Sequence, residues 1–343
     1  MQKVMGGEFL INNNLFEKTI MDRETIIYSS GRNALFNILY NEYDFDARTI
    51  LIPNYLCDSV TRTINDAGWS YKFYRINIDL EFDIDEIIKC EDINAVLVIN
   101  YFGVLKLDEA IKKIRKARQD LVIIEDDVQA FFEYKKSEAE YSFTSLRKWF
   151  PCPDGAFINT KRELKTKIAV ESKWSQYKLA GNLLKNYCNV VDDSICLELL
   201  KKGEELLDME YNSVCSEVSQ EIYAHIDTEN VANIRKKNAR FLHENLLKLG
   251  VRHIYCEDAV PLFIPIFIEN RDILRKHFFE TNIFTPVHWQ TINDEWNGDS
   301  QIYNLELSLI CDQRYDIEDM KRQINVLEHF LDEEETGSGN TNN

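Results

Sequence analysis

Four short apolar runs, Ile50 to Ile52, Tyr71 to Tyr74, Ala95 to Ile99 and Leu121 to Ile124, alternate with helical stretches such as Asp108 to Gln119. Leu121 to Ile124, four apolar residues in a row, suits a strand buried on both faces, and the alternation of the runs with helices suits a mostly parallel sheet with crossover helices. In open α/β sheets ligands sit at the carboxyl ends of such strands. The polar residues that follow each run are therefore the first place to look for chemistry.

Glu125 and Asp126 close the last of these runs. Further on, Ser145-Leu-Arg-Lys148 precedes a Pro-Asp-Gly turn. A carboxylate at a strand end can pair with a protonated pyridine nitrogen, while a downstream lysine forms a Schiff base with an aldehyde; the two together fit pyridoxal phosphate (PLP). Asp126 and Lys148 are the candidates. Gln129, three residues after Asp126, is placed to bond the ring hydroxyl oxygen, and the hydroxyl of Ser145 to reach a phosphate. An Asp after a strand is often only a cap, and Ser-x-x-Lys arises by chance; it is their order and placement that point to one site. Upstream, Thr25 to Ser29 reads as a short strand and Ser30-Gly-Arg-Asn-Ala-Leu as the start of an amphipathic helix. The unpaired N–H groups of such a start form an anion site, with Ser30 as cap, Gly31, Arg32 and Asn33 on a phosphate, and Arg32 adding charge.

These segments, in this order, resemble the DegT/DnrJ-type sugar aminotransferases of fold type I. The resemblance rests on Ser30 to Leu35, Asp126-Asp127-Val128-Gln129 and Ser145 to Lys148, and extends to Pro53-Asn54-Tyr55-Leu56-Cys57, Asn100-Tyr101-Phe102-Gly103, Ile234 to Asn238 and Asp312 to Tyr315. It implies Tyr55 as an aromatic near the cofactor ring, Asn100 and Tyr101 at the cofactor, and Ser142 or Ser145 on the phosphate. It also implies a homodimer and an amino group moved from an amino acid such as glutamate to a keto sugar, nucleotide-linked, in amino-sugar or surface-polysaccharide biosynthesis. Relatives that remove a sugar hydroxyl replace the lysine, commonly with histidine, so Lys148 argues for transamination. The chain departs from the pattern at Arg32, where threonine is usual, at Phe143, where a serine is usual, at Gly155-Ala156, where Gly-Gly is usual, and near Lys178 to Asn186, where the stretch that crosses the dimer is not evident. It reads as an outlying branch.

The residues leave other readings open: a lyase or decarboxylase using the same cofactor residues, or a non-catalytic binding or scaffolding relative. A Rossmann-type binder would need a Gly-x-Gly-x-x-Gly after a strand, which is missing. His288, Trp289 and Arg314 are further candidates for the substrate side, although a His-Trp pair in a loop is commonly packing.

Length sets the domain expectation. The 343 residues suggest a large PLP-binding domain with a helical extension over residues 1–228, a smaller C-terminal α+β domain over 229–331, and a disordered tail over 332–343. Glu163 to about Thr228 reads as mainly helical, Asn230 to Leu249 as a helix stopped by Gly250, Val260 to Ile268 as a strand, and Asp316 to about Leu331 as a final helix. A net charge of −18 argues against nucleic acid or an anionic membrane as partner. Eight cysteines without Cys-x-x-Cys, and histidines without ligand spacing, indicate neither zinc nor a redox pair. Cys57 and Cys152, near the site segments, read as small buried hydrophobes. No secretory or membrane-spanning run is present, so a cytoplasmic enzyme with reduced thiols is expected.

Overall fold

The structure, a computed structural model, describes residues 4–9, 28–42, 48–164, 170–188, 192–207, 209–289 and 300–338. The proposed strand Thr25 to Ser29 lies partly outside these; of its described residues, Tyr28 and Ser29, Tyr28 bridges Ala156 and Val214. The helix α1 (Gly31–Asn41) follows, then β1 (Thr49–Pro53), α2 (Asp58–Asp66), β2 (Ser70–Tyr74), α3 (Ile84–Lys89), β3 (Ala95–Ile99), α4 (Asp108–Ala117), β4 (Val122–Asp126), β5 (Tyr141–Ser145) and β6 (Ala156–Thr160). These strands form one sheet in the order β2-β1-β3-β4-β5-β6, parallel except for the antiparallel edge pair β5–β6. β3 and β4 are buried along their whole length, which explains their continuous apolar sequence. The order turns back between β1 and β3, so a crevice opens at the carboxyl ends of β1, β3 and β4.

The charge-rich stretch that follows is helical, with α5 (Lys173–Tyr187), α6 (Asp193–Leu207) and α7 (Glu217–Ala224), and adds two two-residue strands, β7 (Val170–Glu171) and β8 (Ser213–Val214). Gly181 and Gly203 let α5 and α6 approach closely; a Cβ on Gly181 would stand 2.9 Å from Leu200 and one on Gly203 2.9 Å from Lys178. A long helix α8 (Thr228–Lys248), capped by Asp227, leads to β9 (Arg252–His253), β10 (Phe263–Phe267), α9 (Arg271–Glu280), α10 (Ser300–Leu305), β11 (Glu306–Ile310) and α11 (Ile317–Ser338). β9, β10 and β11 form a separate antiparallel sheet with its own apolar cluster, which includes Leu242, Leu246, Ile264, Leu309 and Leu327.

Two expectations change here. Residues 4–9, assigned by sequence to the large unit, pack on the C-terminal one: Met5 joins its apolar cluster and bridges Ile283. The tail expected to be disordered from residue 332 is helical to Ser338, because α11 continues past Leu331 through its acidic run; residues 339–343 lie outside the described part. No helix among the described residues is long and apolar enough to cross a membrane.

The backbone beyond β3 is the most constrained in the crevice. Phe102 has φ of +56°, a costly conformation for a bulky side chain, and it turns its N–H onto the Gln129 side-chain oxygen at 2.7 Å. Gly103 follows at φ +69°, where a Cβ would lie 2.7 Å from the Gln129 carbonyl oxygen and 2.9 Å from that of Val260. Gly103→Ala is therefore expected to destabilise the protein by roughly 2–4 kcal/mol, combining left-handed strain with a clash against two backbone groups. Urea unfolding would measure it; a change below about 0.5 kcal/mol would contradict this reading of the turn.

Candidate active site

Three chain segments meet in the crevice. The first is the amino end of α1. Ser30 caps it, its hydroxyl accepting from the Asn33 N–H at 3.2 Å. Gly31 sits where a Cβ would come within 2.9 Å of the Val128 side chain, so a residue without a side chain brings the helix end against the β4 loop. Arg32 lines the cavity, and burial, then the nearby Arg147, lower its pKa. Asn33 points elsewhere: its side-chain amide donates to Ser29 and, at 3.0 Å, to Ser213. Its expected phosphate contact is thus not made by the side chain.

The second segment is the end of β4. Asp126 is 8% exposed and accepts the Val128 N–H at 2.9 Å. Burial raises its pKa to about 6, against the lowering effects of that hydrogen bond and of Lys148. Gln129 is fixed through its oxygen by Phe102, which leaves its Nε2 buried with no hydrogen-bond partner. A buried donor without a partner costs about 1–3 kcal/mol, so this one marks a place for an acceptor.

The third segment is the turn after β5. Ser145 and Lys148 both line the cavity, with Lys148 on a single 3₁₀ turn, Leu146–Lys148. The turn is tied down on both sides: the Leu146 N–H donates to the Gly155 carbonyl at 2.9 Å, the Trp149 indole to the Val128 carbonyl at 3.1 Å, and Gln313 to the Trp149 carbonyl at 2.6 Å. Solvent reaches Lys148 through the cavities it borders. Its side chain is exposed there, and the packing around it, with Arg147, pushes its pKa down, while Cys57 and Asp126 act in the opposite direction.

Together Ser30, Gly31, Arg32, Asp126, Gln129, Ser145 and Lys148 border one cavity of about 150 Å³. Other expected residues fall outside it. Ser142, on the opposite face of β5, donates to the Tyr134 carbonyl and accepts from Asn159; strand alternation turns it away while Phe143 and Ser145 face the cavity. Tyr55 lies behind the wall, its hydroxyl on the His288 carbonyl and its carbonyl bonded by the Tyr101 hydroxyl. Trp289, 5.0 Å from the Tyr55 ring, stands in front of it and lines the cavity, as does Phe143. Asn100 and Tyr101 are buried beneath it, the Asn100 N–H on the Asp126 carbonyl at 3.1 Å. Cys57, read as a buried hydrophobe, is only half-buried and lines the cavity, whereas Cys152 is buried.

A second cavity, of about 450 Å³, adjoins the first and shares Arg147 and Lys148 with it. His288 and Arg314 border this one. Arg314 is engaged by both oxygens of Asp312 and by the carbonyls of Gly7 and Glu8. Sequence reasoning missed a charge cluster between the cavities: Arg147 pairs with Glu204 at 2.6 Å, and Glu204 also with the buried Lys178 at 2.7 Å. The two cations hold the Glu204 carboxyl well below its usual range despite burial. Arg147 was visible beside Lys148, but nothing local in α6 marks Glu204.

No protein-family model and no curated protein matches the chain. Solved structures do. A DegT DnrJ EryC1 StrS aminotransferase from Brucella abortus has a TM-score of 0.62 at 17% identity, over 90% of this chain and 86% of that one. Its fold is shared. Spr1654 of Streptococcus pneumoniae, assigned as a sugar aminotransferase, gives 0.68 at 14% identity, over 97% and 94%. DesV of S. venezuelae, solved with a ketimine intermediate, gives 0.64 at 16%, over 94% and 91%. The chain therefore has the large parallel sheet and flanking layers of the sugar aminotransferases, as its sequence motifs led one to expect.

The residues fit PLP. A cavity with a carboxylate at one wall, a lysine at another, a helix amino end and an orphaned amide donor matches the ring nitrogen, aldehyde, phosphate and ring oxygen of that cofactor.

In the cofactor-free protein Asp126 should be a burden above its pKa. Folding raises that pKa from 3.8 to about 6, so the contribution of Asp126 is most favourable below the unfolded value and is lost as pH rises through about 6. Asp126→Asn is expected to stabilise the cofactor-free protein by up to about 3 kcal/mol near pH 8 and not near pH 4. Thermal melts at the two pH values measure this; equal effects at both would remove the buried charge as the cause.

Proposed function

We propose that the protein is a PLP-dependent aminotransferase that moves an amino group from an amino acid, glutamate by preference, to a keto sugar carried on a nucleotide. The convergence of Lys148 and Asp126 on one cavity, with the Gln129 Nε2 unpaired beside them, carries this reading. The likeness in fold to sugar aminotransferases, one of them, Spr1654, also solved in PLP and PMP forms, supports it. We further infer a cytoplasmic homodimer serving amino-sugar or surface-polysaccharide synthesis, with a cofactor-binding unit to about residue 228 and a smaller unit after it.

When bound, PLP supplies an electron sink conjugated to the reacting carbon and a carrier for the nitrogen. Asp126 would hold a proton on the ring nitrogen of bound PLP, and its burial would strengthen that pairing because little water competes for it. Gln129 would donate its free Nε2–H to the ring oxygen, with the Phe102 N–H fixing the amide from the other end. The α1 amino end, Ser30 and Arg32 would hold the phosphate, and Ser145 would add a hydroxyl. Lys148, on the turn that borders the cavity, would be the amine that holds the aldehyde carbon of PLP and, once freed, the base that moves a proton at the reacting carbon. Trp289 closes the cavity on the side of β1.

A donor and acceptor screen tests the reading: the protein with PLP and glutamate should form 2-oxoglutarate beyond one equivalent per site only when a nucleotide-linked keto sugar is present. Carbon dioxide release or amino-acid cleavage in its place would move the assignment to a decarboxylase or lyase. No turnover and no bound PLP would favour a non-catalytic relative.

A further inference from the structure

A buried relay stands behind the larger cavity and has no part in the chemistry above. Glu306 and Ser308 lie on the same face of β11 and are fully buried. One Glu306 oxygen accepts the His288 backbone N–H at 2.6 Å, and the other accepts the Ser308 hydroxyl at 2.6 Å. Ser308 Oγ in turn stands 3.0 Å from His288 Nδ1. The ring is held edge-on between Phe102, 5.3 Å away, and Trp289, 5.6 Å away, and it borders the cavity that also contains Lys148.

Proton bookkeeping settles the imidazole. Because Ser308 gives its only proton to the Glu306 carboxylate, its oxygen can only accept from His288, so Nδ1 carries the hydrogen. In the neutral ring Nε2 then holds a lone pair, and no described residue hydrogen-bonds to it. We propose that Glu306 and Ser308 fix His288 as a hydrogen-bond acceptor for a substrate hydroxyl. A polyol hydroxyl satisfies that lone pair, so the arrangement adds a sugar-hydroxyl contact to this cavity. Its volume of about 450 Å³ falls in the range of small-molecule sites, roughly 300–1,000 Å³. Glu306 and Ser308 are positioning residues here. The substrate class rests on the keto-sugar reading; the relay does not.

The test is the His288 tautomer, read by ¹H–¹⁵N NMR of the full chain labelled at histidine, near pH 8, where an ordinary imidazole is neutral. The wild-type protein should show His288 protonated at Nδ1, assigned by loss of the signal in His288→Gln. Glu306→Gln should reverse it: the amide oxygen can keep the His288 N–H, the amide N–H then donates to Ser308, and Ser308 donates to Nδ1, leaving the hydrogen on Nε2. Ser308→Ala, a smaller change, should abolish the preference. Titrated dTDP-glucose should shift the Nε2 resonance, and Glu306→Gln should weaken dTDP-glucose binding roughly tenfold or more. A wild-type Nε2–H tautomer, or no reversal, overturns the relay. The expected tautomers with no response to dTDP-glucose overturn the recognition. Neither result depends on PLP, so absence of cofactor binding would sink the aminotransferase reading separately.

Discussion

Lys148→Ala is expected to lower transamination by more than about 10⁴-fold, because one amine both binds the aldehyde carbon and moves the proton. The fold should survive. Lys148 borders two cavities, and the turn that presents it is held by Gly155, Val128 and Gln313 through neighbouring residues. PLP should still enter through the α1 amino end, Asp126 and Gln129, and be lost on dialysis. Single-turnover rates with glutamate, beside a thermal melt, check both parts; activity within tenfold of wild type would remove Lys148 from its role.

Asp126→Asn should leave PLP bound and cut kcat by roughly 10²–10³-fold, the size of effect seen when one preorganised electrostatic partner of a developing charge is removed. An amide in that place can accept a hydrogen bond but cannot hold the proton on the ring nitrogen. The same substitution should stabilise the cofactor-free protein above about pH 6, where the buried carboxylate is ionised. Loss of turnover with gain of stability is a signature that simple misfolding would not give, and near-normal kcat would sink the assignment.

Much of this was legible because each element obeyed a local rule. The apolar runs at Ile50, Ala95 and Leu121 became the centre of the sheet, and the residues just past their ends became the crevice. Asp126, Gln129, Ser145 and Lys148 fell together because short turns follow β4 and β5, so sequence order fixes spatial order. What failed was decided at longer range. Ser142 was placed by spacing from the lysine, but strand alternation turned it to the other face. Tyr55 lost the cavity wall to Trp289, a residue far along the chain that only tertiary packing sets in front of it. The Glu204 partnership with Arg147 and Lys178, and the Glu306–Ser308–His288 relay, join elements whose meeting no periodicity announces. Residues 4–9 crossed to the C-terminal unit for the same reason, Met5 finding its apolar neighbours there.

The central claim is a covalent one: Lys148 holds the cofactor. Purified protein with added PLP should show a visible absorption band that borohydride abolishes, and mass spectrometry should find the reduced pyridoxyl label on the peptide containing Lys148. A label on another lysine, or neither band nor label, would contradict the account.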